Sequence, residues 1–227
     1  MNTALFGGTF DPIHNGHIAV AAAAADRFRL GRILFAPAGI PPLKESVAIT
    51  PFLHRYAMVC LATARDHRFV PSLADVSPPG QNEPNYSLHT VRRVKKSLAP
   101  SDRLFFLVGI DAFLHIGKWH KPEELLEECE FIVASRPGFN LDDLASALPT
   151  GLWSQVCPSA WSRREGVSVL TLGDVRIHLL DDVWSRTSST EIRSLVSGTK
   201  PAVRYLDPAV TSYVSKMGLY AKRAERR

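Results

Sequence analysis

The chain has 227 residues, 45% of them apolar and 22% charged, an ordinary globular balance that can bury a core without disulfide or metal staples. A formal charge of +5 suits an anionic partner but does not choose among nucleic acid, nucleotide and phosphate metabolite. The longest apolar run, residues 18–25, is far short of the roughly 20 residues a membrane span needs.

Three cysteines, Cys60, Cys129 and Cys157, are widely spaced, odd in number and without CxxC spacing, so they read as reduced thiols. Met1-Asn2-Thr3 runs straight into a glycine pair, so no signal peptide is expected. The basic tail, Lys222, Arg223, Arg226 and Arg227, reads as a solvated end. The expectation is a cytoplasmic protein with no nucleic-acid and no membrane partner.

Along the chain, strands and helices alternate. Residues 3–6 form a short apolar strand that stops at Gly7-Gly8, where two glycines would let the backbone turn sharply. The alanine-rich stretch from Gly16 to Phe28 has strong helix propensity and is expected to close at Gly31. Residues 32–37 read as a second strand, and strand–helix–strand order predicts a right-handed crossover and a parallel sheet. Pro51 to His67 is a predicted helix with Leu53, Ala57, Cys60, Leu61 and Ala64 on one face. Phe69 to Val76 reads as a strand, Leu88 to Leu98 as an amphipathic helix, and residues 104–108 as a buried strand ending at Gly109. Pro122 to Cys129 is a helix opened by proline, followed by a strand over 131–134. Val167 to Leu172 and Val175 to Leu179 flank Gly173-Asp174 as a hairpin, and helices are expected from about Ser189 and from Pro208. The alternation predicts one α/β domain over residues 1–227. It is a single doubly wound, Rossmann-like parallel sheet with flanking helices and a small C-terminal helical part, broken by an irregular excursion at about 139–166.

Two constellations carry chemistry. The first is Gly7-Gly8-Thr9-Phe10-Asp11-Pro12 followed by His14-Asn15-Gly16-His17. A helix that starts near His17 points free N–H groups and its positive dipole end at whatever lies over the glycine turn, which favours phosphate. His14 and His17, three apart, share a helix face, and two imidazoles there could donate to a phosphorus centre as charge builds up. The second is Thr187-Ser188-Ser189-Thr190-Glu191-Ile192-Arg193. Ser188 with Glu191 fits a capping box, which alone explains the residues. Three successive hydroxyls and a forked, permanently charged arginine also make a clamp for a polyphosphate tail.

These residues together, GGTFDPxHxGH with SSTxIR, resemble the class I-like nucleotidylyltransferase superfamily, and in particular the bacterial nicotinate-nucleotide adenylyltransferases. The resemblance runs on through Pro41-Pro42, Arg55-x-x-Met58, residues 84–90, Gly109-x-Asp111 with Trp119, Arg136-Pro137-Gly138, and Tyr213 to Tyr220. It implies adenylyl transfer from ATP to nicotinate mononucleotide, giving nicotinate adenine dinucleotide and pyrophosphate in NAD synthesis. Gly7, Gly8, Thr9, Phe10, His14, His17, Ser188, Ser189, Thr190 and Arg193 would then hold ATP, with His14, His17 and Arg193 catalytic. Lys44, Thr90, Asp111, Trp119 and Arg136 would serve the acceptor, Trp119 by stacking on its pyridine ring. The sequence shows no metal cage, so Mg²⁺ is expected to enter with ATP. Oligomeric state stays open, a homodimer included. Leu43, Asn85-Tyr86-Ser87 and Thr187 depart from the family pattern, which has histidine, Ser-Tyr-Thr and isoleucine there. Phosphopantetheine or nicotinamide mononucleotide as acceptor, and a nucleic-acid-binding module that kept the fold, are the alternatives.

Overall fold

The computed structural model describes residues 1–39, 49–77, 85–135, 141–164, 167–181, 183, 187–198 and 203–221. In chain order it contains β1 (Asn2–Gly8), α1 (Asn15–Arg27), β2 (Leu30–Pro37), α2 (Phe52–Thr63), β3 (Phe69–Pro71) and α3 (Ser87–Lys96). Then come β4 (Arg103–Gly109), α4 (Ile110–Phe113), α5 (Pro122–Glu128), β5 (Glu130–Ala134), α6 (Leu141–Ser146) and α7 (Thr150–Trp153). The chain finishes with β6 (Trp161–Arg164), β7 (Val167–Leu172), β8 (Val175–Leu180), α8 (Ser189–Ser197) and α9 (Pro208–Lys216).

All eight strands form one sheet in the order β3-β2-β1-β4-β5-β8-β7-β6. The six from β3 to β8 pair in parallel, as the alternation predicts. The hairpin turns back at Gly173, whose φ of 57° suits glycine, and β7 and β6 extend the sheet antiparallel. The excursion at 139–166 is therefore more ordered than the sequence suggests: in its described part it holds two short helices and supplies the far edge strand.

Strand side chains alternate faces, and that period of two divides the interior. Ala4, Phe6, Phe105, Leu107 and Ile132 join the core beneath α1, α2, α8 and α9. Leu5, Leu104, Phe106, Val108, Phe131 and Val133 join the core shared with α3, α4 and α5.

Local differences from the sequence reading have local causes. α1 leaves its helix before Gly31, because Arg29 takes a φ of 50° and β2 begins at Leu30. On α2 the buried face is Arg55, Met58, Val59, Ala62 and Thr63, while Leu53 is 77% exposed. That helix is apolar almost all round, so apolar spacing could not set its phase; a buried arginine does. β3 stops at Pro71, which has no N–H to donate and sits on the sheet's edge strand.

Candidate active site

The strand order reverses between β1 and β4, the place where an open α/β sheet leaves a crevice beyond its carboxyl edge. Two cavities of about 310 Å³ each open there, and Gly7, Gly8, Val108 and Ala112 line both.

The first cavity lies over the start of α1. Extended backbone at His14 (φ −144°, ψ 170°) feeds the helix, and its N–H donates to Nδ1 of His17 at 3.2 Å. Because Nδ1 accepts, the proton of neutral His17 sits on Nε2. The two rings stack with centroids 3.7 Å apart. Burial pushes His14 down to about 4; burial, with His14 beside it, pushes His17 well below its ordinary value. Both rings are neutral at pH 7, each with an N–H to give. Thr187, Ser188 and Ser189 line the same cavity, so the N-terminal ends of α1 and α8 both open on it. Unpaired N–H groups and two positive dipole ends make it a place for a polyphosphate.

The glycine pair works differently from the sequence expectation. Gly7 and Gly8 stay within β1, and the chain turns at Phe10, whose φ is 50°. A Cβ on Gly7 would come within 3.1 Å of the Phe106 ring, and one on Gly8 within 3.0 Å of the Phe10 ring. The glycines let rings pack against the floor of both cavities. The Phe10 ring is buried edge-on against Phe6 and His17, with centroids 5.4 and 5.1 Å away, and so backs the catalytic candidate His17.

Residues 9–12 are held carbonyl by carbonyl. Arg55 donates to Thr9 O at 2.8 Å, Arg193 to Asp11 O at 2.6 Å, and Ser189 to Pro12 O at 2.9 Å. The two sequence motifs thus meet in space. Arg193 also donates to Thr190 Oγ1 at 3.1 Å, and Ser188 caps α8 by accepting from the Glu191 N–H at 3.1 Å. The capping interpretation of Ser188 is realised, and its own hydroxyl hydrogen is still available to a ligand.

The second cavity is lined by Tyr86, Ser87 and Thr90 at the start of α3, by Lys118, Trp119 and His120, and by Asp75 and Asn85. Trp119 stands edge-on to Phe106, centroids 6.1 Å apart, and Tyr86 stacks on His120 at 4.2 Å. Thr90 donates its hydroxyl to Asp75 Oδ1 at 2.6 Å, and Asn85 donates to Asp75 at 2.9 Å and to Thr90 Oγ1. Burial pushes the Asp75 carboxyl up, against the pull of those hydrogen bonds. Thr90 lines this cavity, but its hydrogen is spent on Asp75. The donors left for an anion are the first N–H groups of α3, with that helix's positive end behind them.

Asp111, expected on the acceptor side, lines the histidine cavity instead. Lys44 and Arg136 lie outside the described residues.

Comparison with known proteins bears on this geometry. The cytidylyltransferase-like family profile matches residues 5–195. A Geobacter sulfurreducens protein named "Probable nicotinate-nucleotide adenylyltransferase" is 38% identical over 97% of this chain and 99% of its own. One of the same name from Moorella thermoacetica is 36% identical over 97% of this chain and 92% of its own. The chain belongs to the nicotinate-nucleotide adenylyltransferase family. Its fold is that of the Plasmodium falciparum nicotinic acid mononucleotide adenylyltransferase complexed with NaAD, with a TM-score of 0.68 at 19% identity over 96% of this chain and 97% of that one.

Within this adenylyltransferase family chain, sequence reasoning missed Asp75, Lys118 and His120 as cavity residues, and treated Asn85 only as a departure. None sits in a motif with chemical spacing. The only hint was that Lys118 and His120 flank Trp119. Among the described residues no group of three or more His, Cys, Asp or Glu could hold a metal ion, and no helix is long and apolar enough to cross a membrane.

Proposed function

We propose that the protein transfers the adenylyl group of ATP to nicotinate mononucleotide, making nicotinate adenine dinucleotide and pyrophosphate. The observation that carries this reading is the pair of cavities sharing one glycine floor, anion-binding on one side and aromatic on the other. ATP enters the histidine cavity with its α-phosphate beside His14 and His17. The acceptor enters the Trp119 cavity with its ring on the indole and its phosphate toward the shared floor.

An acceptor phosphate oxygen then forms a bond to the α-phosphorus, the α–β bridging bond breaks in line, and its electron pair leaves with pyrophosphate. The acceptor phosphate is already ionised at neutral pH, so the step needs no protein base. Catalysis is positioning plus charge stabilisation. Neutral imidazole N–H groups donate to the non-bridging oxygens as charge develops, while Ser188, Thr190 and Arg193 hold the departing pyrophosphate. The family pattern assigns Lys44 and Arg136 to the acceptor. Mg²⁺ comes as part of the Mg-ATP substrate. Among the described residues Asp111 is the one carboxylate lining the cavity, and it and the hydroxyls fit an ion brought in on phosphate better than one held in a protein cage.

The test is incubation with Mg-ATP and, separately, nicotinate mononucleotide, nicotinamide mononucleotide or phosphopantetheine, with products separated and pyrophosphate measured. The expected result is dinucleotide and pyrophosphate in equal amounts, with the nicotinate acceptor used best. Pyrophosphate release with phosphopantetheine alone overturns the acceptor; none with any acceptor overturns the reaction.

A further inference from the structure

The far end of the chain reaches into the ATP-side loop. After α9, Gly218 takes a φ of 62° and the Leu219 N–H reaches back to Val214 O at 3.0 Å, a glycine-terminated helix end. Tyr220 then adopts a φ of 64°, a region that a tyrosine enters only when its surroundings hold it there. Its phenol donates to Asp11 Oδ1 at 2.6 Å. The other oxygen of that carboxylate, Oδ2, accepts from the Thr50 N–H at 3.2 Å, and Asp11 is only 4% exposed. Burial, then the hydrogen bond to Asp11, pushes the Tyr220 phenol far up, so it is a donor throughout the working pH range.

Asp11 is thus gripped at both ends of its side chain while its main-chain carbonyl carries Arg193. Arg55, 2% exposed, braces the same loop by donating to Thr9 O and to Thr50 O, each at 2.8 Å. Arg193 is held between that carbonyl and Thr190 Oγ1, and the side chain of Asp11 fixes the peptide that bears the first.

We propose that Tyr220 is a positioning residue for the ATP side: through Asp11 it sets the carbonyl on which Arg193 rests, so the C-terminal turn of the chain aims the arginine at the polyphosphate. This rests on the reading of Arg193 as an ATP residue. A tyrosine that merely pegs the chain end would affect stability but would not couple to Arg193.

A double-mutant cycle separates the two. Tyr220→Phe, which keeps the ring and removes the donor, Arg193→Lys and the double variant are compared for kcat and KM of ATP and of nicotinate mononucleotide. Affinity for a non-hydrolysable ATP analogue, which needs no acceptor, is measured beside them. Tyr220→Phe is expected to lose about tenfold in kcat/KM for ATP with the acceptor KM unchanged. The double variant is expected to lose little more than the worse single variant, in turnover and in analogue affinity alike. Unchanged ATP kinetics, or single losses that multiply in the double variant, overturn the proposal. If Tyr220→Phe does not fold, Asp11→Asn takes its place in the same cycle with the same two outcomes. If the unaltered protein releases no pyrophosphate with nicotinate mononucleotide, the acceptor assignment fails, and coupling in analogue affinity still decides Tyr220.

Discussion

The two cavities are of equal size and share a floor, yet they are built by different means. The ATP-side cavity takes most of its polar side chains from His14, His17 and the helix start at residues 187–189, set against walls from β1, residues 108–112 and residues 134–135, and its two loops are tied through main-chain carbonyls. Phosphate recognition needs little more than N–H groups, helix ends and small residues in a fixed order, so it compresses into a motif. The acceptor cavity sets Thr9, Asp75 and side chains of residues 85–90, 106 and 118–120 over small residues of β1, β2 and β4, and its character lies in shape and aromatic faces. Shape has no short spelling. One cavity should therefore fail at single residues and the other gradually.

The largest expected effect is at His17. His17→Ala removes an N–H from the reacting phosphate and should cut turnover by roughly 10²-fold or more, with the fold kept, the scale of losing one transition-state donor. Steady-state assays with circular dichroism on the same sample check it; near-normal turnover in a folded variant takes His17 out of the chemistry. Arg193→Lys should follow with roughly tenfold poorer ATP use, because a point charge cannot reach both Asp11 O and Thr190 Oγ1 as the fork does. Full retention of ATP affinity and turnover would leave Arg193 a purely structural brace.

The acceptor cavity should respond more evenly. The N–H groups at the start of α3 suit a carboxylate, and the nicotinamide NH₂ would set a donor against a donor. The ratio of kcat/KM should favour the acid by roughly tenfold to a hundredfold. A ratio near one means that the Asp75 carboxylate, which lines the same cavity, cancels the helix end. Trp119→Ala should weaken both acceptors by about the same factor, since stacking does not distinguish acid from amide. Unequal losses would show that the indole contributes to selectivity.

This contrast also describes what could be read from the residues alone. Parallel strands buried on both faces, such as residues 104–108 and 131–134, announce themselves as unbroken apolar runs. The phase of α2 did not, because the residue that decides it is a buried arginine bonded to four carbonyls. Thr90 was legible as a cavity residue, but the partner that takes its hydrogen, Asp75, stands fifteen residues away in a loop with no motif. The family resemblance groups Asp111 with Trp119, whereas α4 sets Asp111 on the other side of the floor. Hydrogen-bond direction and the side of a wall are properties of the folded chain.

The smallest effect concerns stability and singles out the histidine pair again. In the unfolded chain an imidazole titrates near 6.5. In the folded chain burial holds His14 near 4, with His17 lowered as well. Below about pH 6.5 the unfolded chain binds protons that the folded chain refuses, so stability is complete above that pH and is lost as pH falls toward 4. For His14 alone the loss between pH 6.5 and 5 is about 1–2 kcal/mol, or roughly 5 °C in melting temperature for a chain of this size. Of the shifted carboxylates, Asp75, which burial pushes up, opposes this loss as pH falls, so the difference between the unaltered protein and His14→Gln, not the slope alone, reads the histidine. Burial pushes Glu130 up, but hydrogen bonds from His178 and Arg103 hold it down to about 2, so its share of stability is lost only below the ordinary carboxylate range. Melting curves of the unliganded protein at pH 7, 6 and 5 should therefore fall, and those of His14→Gln should fall less. A bound ATP analogue should flatten the curve for the unaltered protein, because phosphate charge favours the protonated ring that burial had excluded. A pH dependence equal in the variant and in the unaltered protein would mean that burial does not hold the His14 imidazole below its ordinary value.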